Sequence, residues 1–328
     1  MDEFSFIDSI RQSTYSQPSL IKGIGDDAAV FRADNRDVVT AVDTLVEGVH
    51  FSRETMEPHH IGHRALAVNI SDLAAMGAAP AFYMVSIVIP ESWNDEDLQG
   101  IYRGMKKLAR KHKMDLIGGD TVSGKELVLT VTVFGYTVPG KSRYRSAAKA
   151  GDVLFVTGTL GDAQAGLEML LGNISNDNEE AFHYFVRRHR TPEPPVGFAM
   201  KLEGIVRVAL NDLSDGIASE ANEISEASDV CLHLEYEKLP YASFLDTFQE
   251  EKREQWMLSG GEDFELLGAV SEKEWPAIEK AAKEAGTTVT KIGYVTEKKQ
   301  SDACVFLHKN GAKKVLTKSG YTHLQGNR

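Results

Sequence analysis

Cysteine is nearly absent from this chain of 328 residues: only Cys231 and Cys304 occur. Their spacing matches no metal-ligand pattern, so a disulfide scaffold and a cysteine-based zinc site are excluded. Both thiols read as small core residues. No stretch approaches the ~18 apolar residues of a membrane helix, and the opening residues MDEF carry no basic segment followed by an apolar run. The expectation is a cytoplasmic protein without a membrane partner. Positive charge is also scarce: 36 Lys and Arg face 48 Asp and Glu, a formal charge of −12. With no basic stripe to offset that excess, a nucleic-acid partner is excluded. Low-complexity tracts are missing, as are the P-loop, the nucleophile elbow, the protein-kinase catalytic loop and a Cys/His dyad.

What is present is an apolar fraction of 42%, enough to fill two cores, in a chain too long for one. An acidic protein of this kind can still bind polyphosphates, through divalent cations.

Periodicity predicts a strand at 38–42, a helix at 59–76, a buried strand at 82–89 and an amphipathic helix at 94–112. A strand at 114–117 ending in Gly118-Gly119 and a long β-branched strand at 126–136 follow. The basic segment 141–149 reads as a linker, giving an N-terminal domain over 1–149 and a C-terminal α/β domain over 150–328. The second domain opens with a strand at 153–157, a glycine turn and a helix at 162–171. Helices at 179–189 and 196–206 are separated by Pro192, Pro194 and Pro195, and the chain closes with a hairpin across Asn310-Gly311. The fold class expected is mixed α/β (α+β) in two domains.

The aspartates carry the chemistry. Asp26 and Asp27 follow Gly23-Ile24-Gly25, Asp43 ends a strand, Asp72 lies on a helix, Asp120 follows Gly118-Gly119, and Asp212 and Asp215 bracket Leu213-Ser214. Carboxylates beside glycines can approach an ion closely, and hard oxygen ligands suit Mg²⁺. Taken singly, each aspartate is equally at home in a turn or helix cap. Asp72 stands apart, because it shares a helix face with Asn69, Leu73 and Met76, where a carboxylate is costly unless paired or metal-bound. Two glycine turns, Gly158-Thr159-Leu160-Gly161 and Gly260-Gly261-Glu262-Asp263, can each be read as a phosphate contact or as an ordinary tight turn. His59 and His63, at i and i+4, form either a zinc pair or a solvated helix start.

These segments together resemble the thiamine-monophosphate kinase family, within the superfamily of aminoimidazole ribonucleotide synthetase and selenophosphate synthetase. The resemblance runs through GIGDDAA (23–29), DTLVEGVHF (43–51), AVNISDLAAMGA (67–78), LIGGDT (116–121), VTGTLGD (156–162), DLSDG (212–216) and LSGGEDFEL (258–266). It implies a two-domain aminoimidazole ribonucleotide synthetase-like fold and a homodimer in which the N-terminal sheets pair into a shared barrel. It also implies a phosphotransferase that uses ATP and thiamine monophosphate with several Mg²⁺ ions. The implied metal ligands are Asp27, Asp43, Asp72, Asp120, Asp212 and Asp215; the implied ATP contacts are Gly119, Asp120, Arg145 and Ser214; and His50, Glu262 and Tyr321 match thiamine phosphate positions. Ala41 and Val42 stand where the family commonly has a hydroxyl residue, leaving backbone carbonyls there. Ala147 and Ala150 replace a glycine and a proline near the retained Arg145. The competing readings are an aminoimidazole ribonucleotide synthetase, which activates an amide oxygen with ATP, and a nucleotide sensor without catalysis.

Overall fold

The structure is a computed structural model and describes residues 10, 12, 14–22, 30–175, 178–298 and 304–319. The chain divides into two compact units, 1–73 with 78–142, and 74–77 with 143–328.

In the first unit a short antiparallel pair, β1 (Leu20–Lys22) and β2 (Val30–Phe31), precedes β3 (Asp37–Val46). Then come α1 (Pro58–Ala75), β4 (Ala79–Ile89), α2 (Asp95–His112), β5 (Asp115–Ser123) and β6 (Val128–Thr137). The four long strands form a sheet in the order β3-β6-β4-β5, antiparallel except for β4 and β5, which α2 joins as a parallel crossover. Alternation splits the sheet into two faces. Leu45, Val85, Ile87, Leu129 and Val131 are buried, whereas Val38, Val42 and Val122 are exposed.

Helix α2 starts where the sequence provides a complete cap. The Asn94 side chain accepts from the Glu96 and Asp97 amides at 2.9 and 3.0 Å, and Asp97 accepts from the Asn94 amide at 3.4 Å. Arg110, Lys111 and His112 fill the last turn, complementing the helix dipole. Helix α1 shows no single apolar stripe, because both of its sides are covered: Ile61, Ala65, Leu66, Ile70 and Leu73 are all fully buried. Its contact with α2 is a backbone-to-backbone approach. A Cβ on Gly62 would overlap the Ile101 carbonyl, and one on Gly104 would overlap the His59 carbonyl.

The second unit contains β7 (Asp152–Thr157), α3 (Asp162–Leu170), α4 (Glu179–Arg190), α5 (Val196–Lys201), β8 (Val208–Asp212), α6 (Ile217–Ser228) and β9 (Val230–Glu235). It continues with α7 (Glu250–Ser259), β10 (Leu266–Ser271), α8 (Trp275–Ala285), β11 (Val289–Glu297), β12 (Val305–Lys309) and β13 (Ala312–Val315). Its seven strands run in the order β13-β12-β9-β11-β7-β10-β8. Helices cover both faces. Leu154, Val156, Leu232 and Leu267 pack with Ile217, Ala221 and Ile224 of α6, while Phe155 meets Phe198 of α5 and Trp275 of α8 at 6.2 and 6.1 Å between ring centroids.

Three predicted boundaries move; the strand expected over 38–42 runs from Asp37 to Val46. The strand expected to stop at Gly118-Gly119 continues to Ser123, because parallel pairing with β4 carries through both glycines; a Cβ on Gly119 would overlap the Val85 carbonyl. The helix expected over 196–206 stops at Lys201 and passes through a 3₁₀ turn at Leu202–Gly204. Gly204 and the β-branched Ile205 and Val206 favour that extended exit. The hairpin is as expected: Asn310 and Gly311 have φ of 50° and 76°, the backbone that a two-residue turn requires.

Gly104→Ala forces a methyl group into the α1–α2 contact without a flexible side chain to yield. We expect a loss of about 3 kcal/mol, at the upper end for overpacking, seen as a lower urea midpoint with an unchanged slope.

Candidate functional site

In the first unit the site is built around a pair of acids. Asp43, within β3 rather than at its end, hydrogen-bonds through its side chain to Asp72 of α1. Burial raises the Asp43 carboxyl above its usual range, while the Asp72 hydrogen bond and the charge of His50 pull it down. Two carboxylates at hydrogen-bond distance need a shared proton or a cation between them. Sequence reasoning asked what compensates an acid on the apolar face of α1, and the compensation is a second acid.

His50 is held in place by its own turn. Its Nδ1 accepts from the Val46 amide at 3.1 Å, and Gly48, at φ 80°, donates to the Phe51 carbonyl at 2.8 Å. Glu47 secures that turn by accepting from Trp93 Nε1 at 3.0 Å and the Leu127 amide at 3.3 Å.

Gly119 and Asp120 stand elsewhere in the same sheet. Register aligns Asp43 with Val131, Val85 and Gly119 across four strands. The two edges are therefore three strand spacings apart, about 14 Å at ~4.8 Å each. Asp120 lies one row on, exposed, accepting from the Thr121 amide at 3.0 Å. The unit thus brings together Asp43, Asp72 and His50 and leaves Gly119 and Asp120 on the opposite edge. The expected histidine pair separates by burial: His63 is 8% exposed and His59 lies on the surface. The donors lying within 4.8 Å of one another there are Glu57, His59 and His60.

The second unit holds another acidic group. Asp212 ends β8, buried; Ser214 and Asp215 follow in the turn before α6. Beneath them lies Glu220, which accepts from Ser214 Oγ and the Asp215 amide, both at 3.2 Å, and from Asn211 Nδ2. Burial, with the charges of Asp212 and Glu223 adding to it, pushes the Glu220 carboxyl up to about 8. Arg145 pairs with Glu223 on α6, and its carbonyl accepts from Ser228 Oγ at 2.7 Å. Sequence reasoning passed over Glu220, although the signal was the one that singled out Asp72: an acid in line with Ile217 and Ile224 on the apolar face of its helix.

The two glycine turns meet each other. Asp263 is buried, and its carboxylate accepts from the Gly161 amide at 2.6 Å and the Ala163 amide at 2.9 Å, occupying the N-terminus of α3. Burial raises its carboxyl, with the neighbouring Asp162 charge adding to the effect and Arg188 opposing it. Glu262, half-buried at φ 71°, donates its amide to the Ser214 carbonyl at 2.8 Å. Asp27, the surrounding 23–29 motif and Tyr321 lie outside the described residues.

Residues 25–137 match the AIR synthase related protein N-terminal domain, and residues 149–305 match its C-terminal domain. The fold is that of an AIR synthase related protein. A thiamine-monophosphate kinase of Bacillus subtilis is 45% identical over 328 residues, covering 99% of this chain and 100% of the relative. The crystal structure of thiamine-monophosphate kinase from Stenotrophomonas maltophilia superposes with a TM-score of 0.85 at 32% identity, covering 95% of this chain and 98% of that one. AaThiL complexed with AMPPCP and TMP superposes with a TM-score of 0.77 at 29% identity, covering 98% and 97%. The chain belongs to the thiamine-monophosphate kinase family.

Asp263→Ala strips the acceptor from two buried amides. It should destabilise the protein by about 2 kcal/mol, the cost of a lost cap with unsatisfied donors, and Asp263→Asn should cost less because one acceptor oxygen remains. Urea unfolding of both variants measures the difference.

Proposed function

We propose that the chain is an ATP-dependent phosphotransferase that moves the γ-phosphoryl group of ATP to thiamine monophosphate, giving thiamine diphosphate and ADP. The observation that carries this is relatedness to thiamine-monophosphate kinases along the whole length of the chain. AMPPCP, an ATP analogue, and TMP in the related complex correspond to the two substrates. A cytoplasmic setting, where ATP is abundant, completes the reading; no helix among the described residues is long and apolar enough to cross a membrane.

The chemistry requires little from side chains acting as bases. The acceptor is a phosphate monoester whose second pKa is ~6, so its attacking oxygen is already ionised at neutral pH. The obstacle is repulsion between two polyanions and the charge that spreads over the transferred group. Carboxylates alone would worsen it.

The donor set fits hard divalent cations: the bonded Asp43–Asp72 pair in one unit, and Asp212 and Asp215 beside a charge-raised Glu220 in the other. Mg²⁺ on these groups, with Asp27 and Asp120, would neutralise phosphate charge and align attacking and leaving oxygens. His50, Glu262 and Tyr321 are assigned to the thiamine phosphate, and Gly119, Arg145 and Ser214 to ATP. Direct transfer without a phosphoenzyme is the step this reading takes, since the acceptor oxygen is already ionised and can attack the γ-phosphorus itself.

A homodimer belongs to the same reading. Both edges of the N-terminal sheet, β3 and β5, are unpaired among the described residues, and the solvent-facing side exposes Val38, Val42 and Val122. Closing a barrel with a second copy would pair those edges and cover that side. Each edge carries part of the assigned ligand set.

Two experiments test the function. Incubated with Mg-ATP and a panel of phosphorylated metabolites, the protein should convert thiamine monophosphate and leave free thiamine unchanged, because the site needs an acceptor that is already ionised. Turnover of aminoimidazole precursors, with none of thiamine monophosphate, would overturn the assignment. Asp72→Asn should lower the rate about a hundredfold or more, the ~3 kcal/mol typical of a lost electrostatic element, at every practical Mg²⁺ concentration. Its stability in chelator should be kept, since a repulsive carboxylate has gone; the exposed Glu279→Gln serves as control. Near-normal activity of Asp72→Asn would make the residue structural.

A further inference from the structure

Beneath the turn that carries Glu262 lies a buried ionic network which the reaction does not use directly. Its cation is Arg188 on α4, whose side chain is 17% exposed. Arg188 Nη2 donates to Glu265 Oε1 at 2.8 Å, and Nε lies 3.3 Å from Asp162 Oδ2. Asp162 also accepts from Thr159 Oγ1 at 2.5 Å and Tyr184 Oη at 2.7 Å. Glu265 accepts from Thr157 Oγ1 at 2.7 Å, and that hydroxyl in turn accepts from the Leu266 amide at 2.8 Å. Gly158 has no side chain to obstruct this, because the Glu265 carboxylate occupies the space a Cβ would need. Asp263, the third buried acid, also feels the Arg188 charge.

The segment tied down by these bonds is strained. Within three residues, Glu262 and Phe264 have φ of 71° and 50°, the left-handed region that side chains disfavour. The Phe264 amide donates to the Leu213 carbonyl at 3.0 Å, and the Glu262 amide to the Ser214 carbonyl at 2.8 Å. A Cβ on Gly261 would come within 2.5 Å of that Ser214 oxygen. Strain of this kind persists where the surroundings over-determine it. Burying three acids around one arginine is an inefficient way to add stability, since well-packed apolar residues do as well or better. What the network supplies is direction: a planar guanidinium fork fixes two carboxylates that flank the two glycine turns.

We infer that Arg188 is a positioning residue, which through Glu265 and Asp162 holds the 260–265 turn so that Glu262 and Ser214 are fixed relative to each other. The inference rests on the assignment of Glu262 to the thiamine phosphate. Its consequence is a specific division of kinetic effects. Arg188 is not among the residues assigned to either substrate and acts through Glu265 and Asp162, so its loss should loosen acceptor binding more than it slows transfer.

The test is Arg188→Lys, which keeps the charge and removes the fork. We expect a folded protein whose KM for thiamine monophosphate rises about tenfold while kcat falls less than about threefold. Hydrogen exchange should show the Glu262 and Phe264 amides losing protection while those of β7 and β10 keep theirs. Thr157→Val removes the Glu265 bond and the acceptor of the Leu266 amide at nearly constant size, and should act in the same direction, with an increase in KM of roughly threefold. A purely structural arginine would lower the melting temperature and the active fraction, leaving acceptor KM unchanged. Acceptor KM within twofold of wild type in the folded variants, with the turn amides still protected, would overturn the inference; if Arg188→Lys fails to fold, Thr157→Val decides. Should wild type not turn over thiamine monophosphate at all, the functional reading fails on its own, and the exchange of the turn amides still decides whether Arg188 holds the turn.

Discussion

Bringing like charges together is what this chain does repeatedly, and each instance requires a compensating partner. In the first unit the requirement reduces to one hydrogen bond, Asp43 to Asp72. That bond ties an edge strand to a buried helix, and it can exist with a proton or with a cation between the oxygens. The elements around it are correspondingly rigid: α1 is buried on both sides and meets α2 at backbone distance. A carboxylate pair on mobile elements would separate and hydrate; on these it cannot.

The second unit contains two acidic groups with opposite solutions. Asp162, Asp263 and Glu265 carry their own cation, Arg188, together with three hydroxyl donors and two amides at the start of α3. Their needs are met from within. Beside Asp212 and Asp215, Glu220 answers the crowding by holding its proton to about 8, and Arg145 pairs with Glu223 on the same helix. The difference in compensation separates a group that shapes backbone from one suited to external cations. A net charge of −12 is compatible with anionic substrates where divalent ions reverse the local sign, as the proposed function requires.

Much of this was legible in the sequence where one rule acted alone. The amphipathic period over 94–112 announced α2, and Asn310-Gly311 announced the β12–β13 hairpin. Asp72 stood out because a carboxylate on an apolar helix face contradicts its surroundings. The same rule would have found Glu220. The end of β5 was misjudged because glycines usually interrupt strands, and nothing local shows that β4 approaches too closely at Gly119 for any other residue.

Composition and pattern determined the broad class: a two-unit α/β chain without disulfides, acidic, with carboxylates and glycines in motifs that resemble one family. These follow from periodicity, turn chemistry and charge, which act over a few residues. Which acids meet, and what neutralises them, was decided by tertiary structure alone. Asp43 and Asp72 are far apart in the chain yet bonded, Asp43 and Gly119 share a register row yet sit on opposite edges, and Asp263 reaches back to cap α3 at Gly161. Hydrogen bonds and charge pairs act over a few ångströms, so their partners are set by where the chain returns in space.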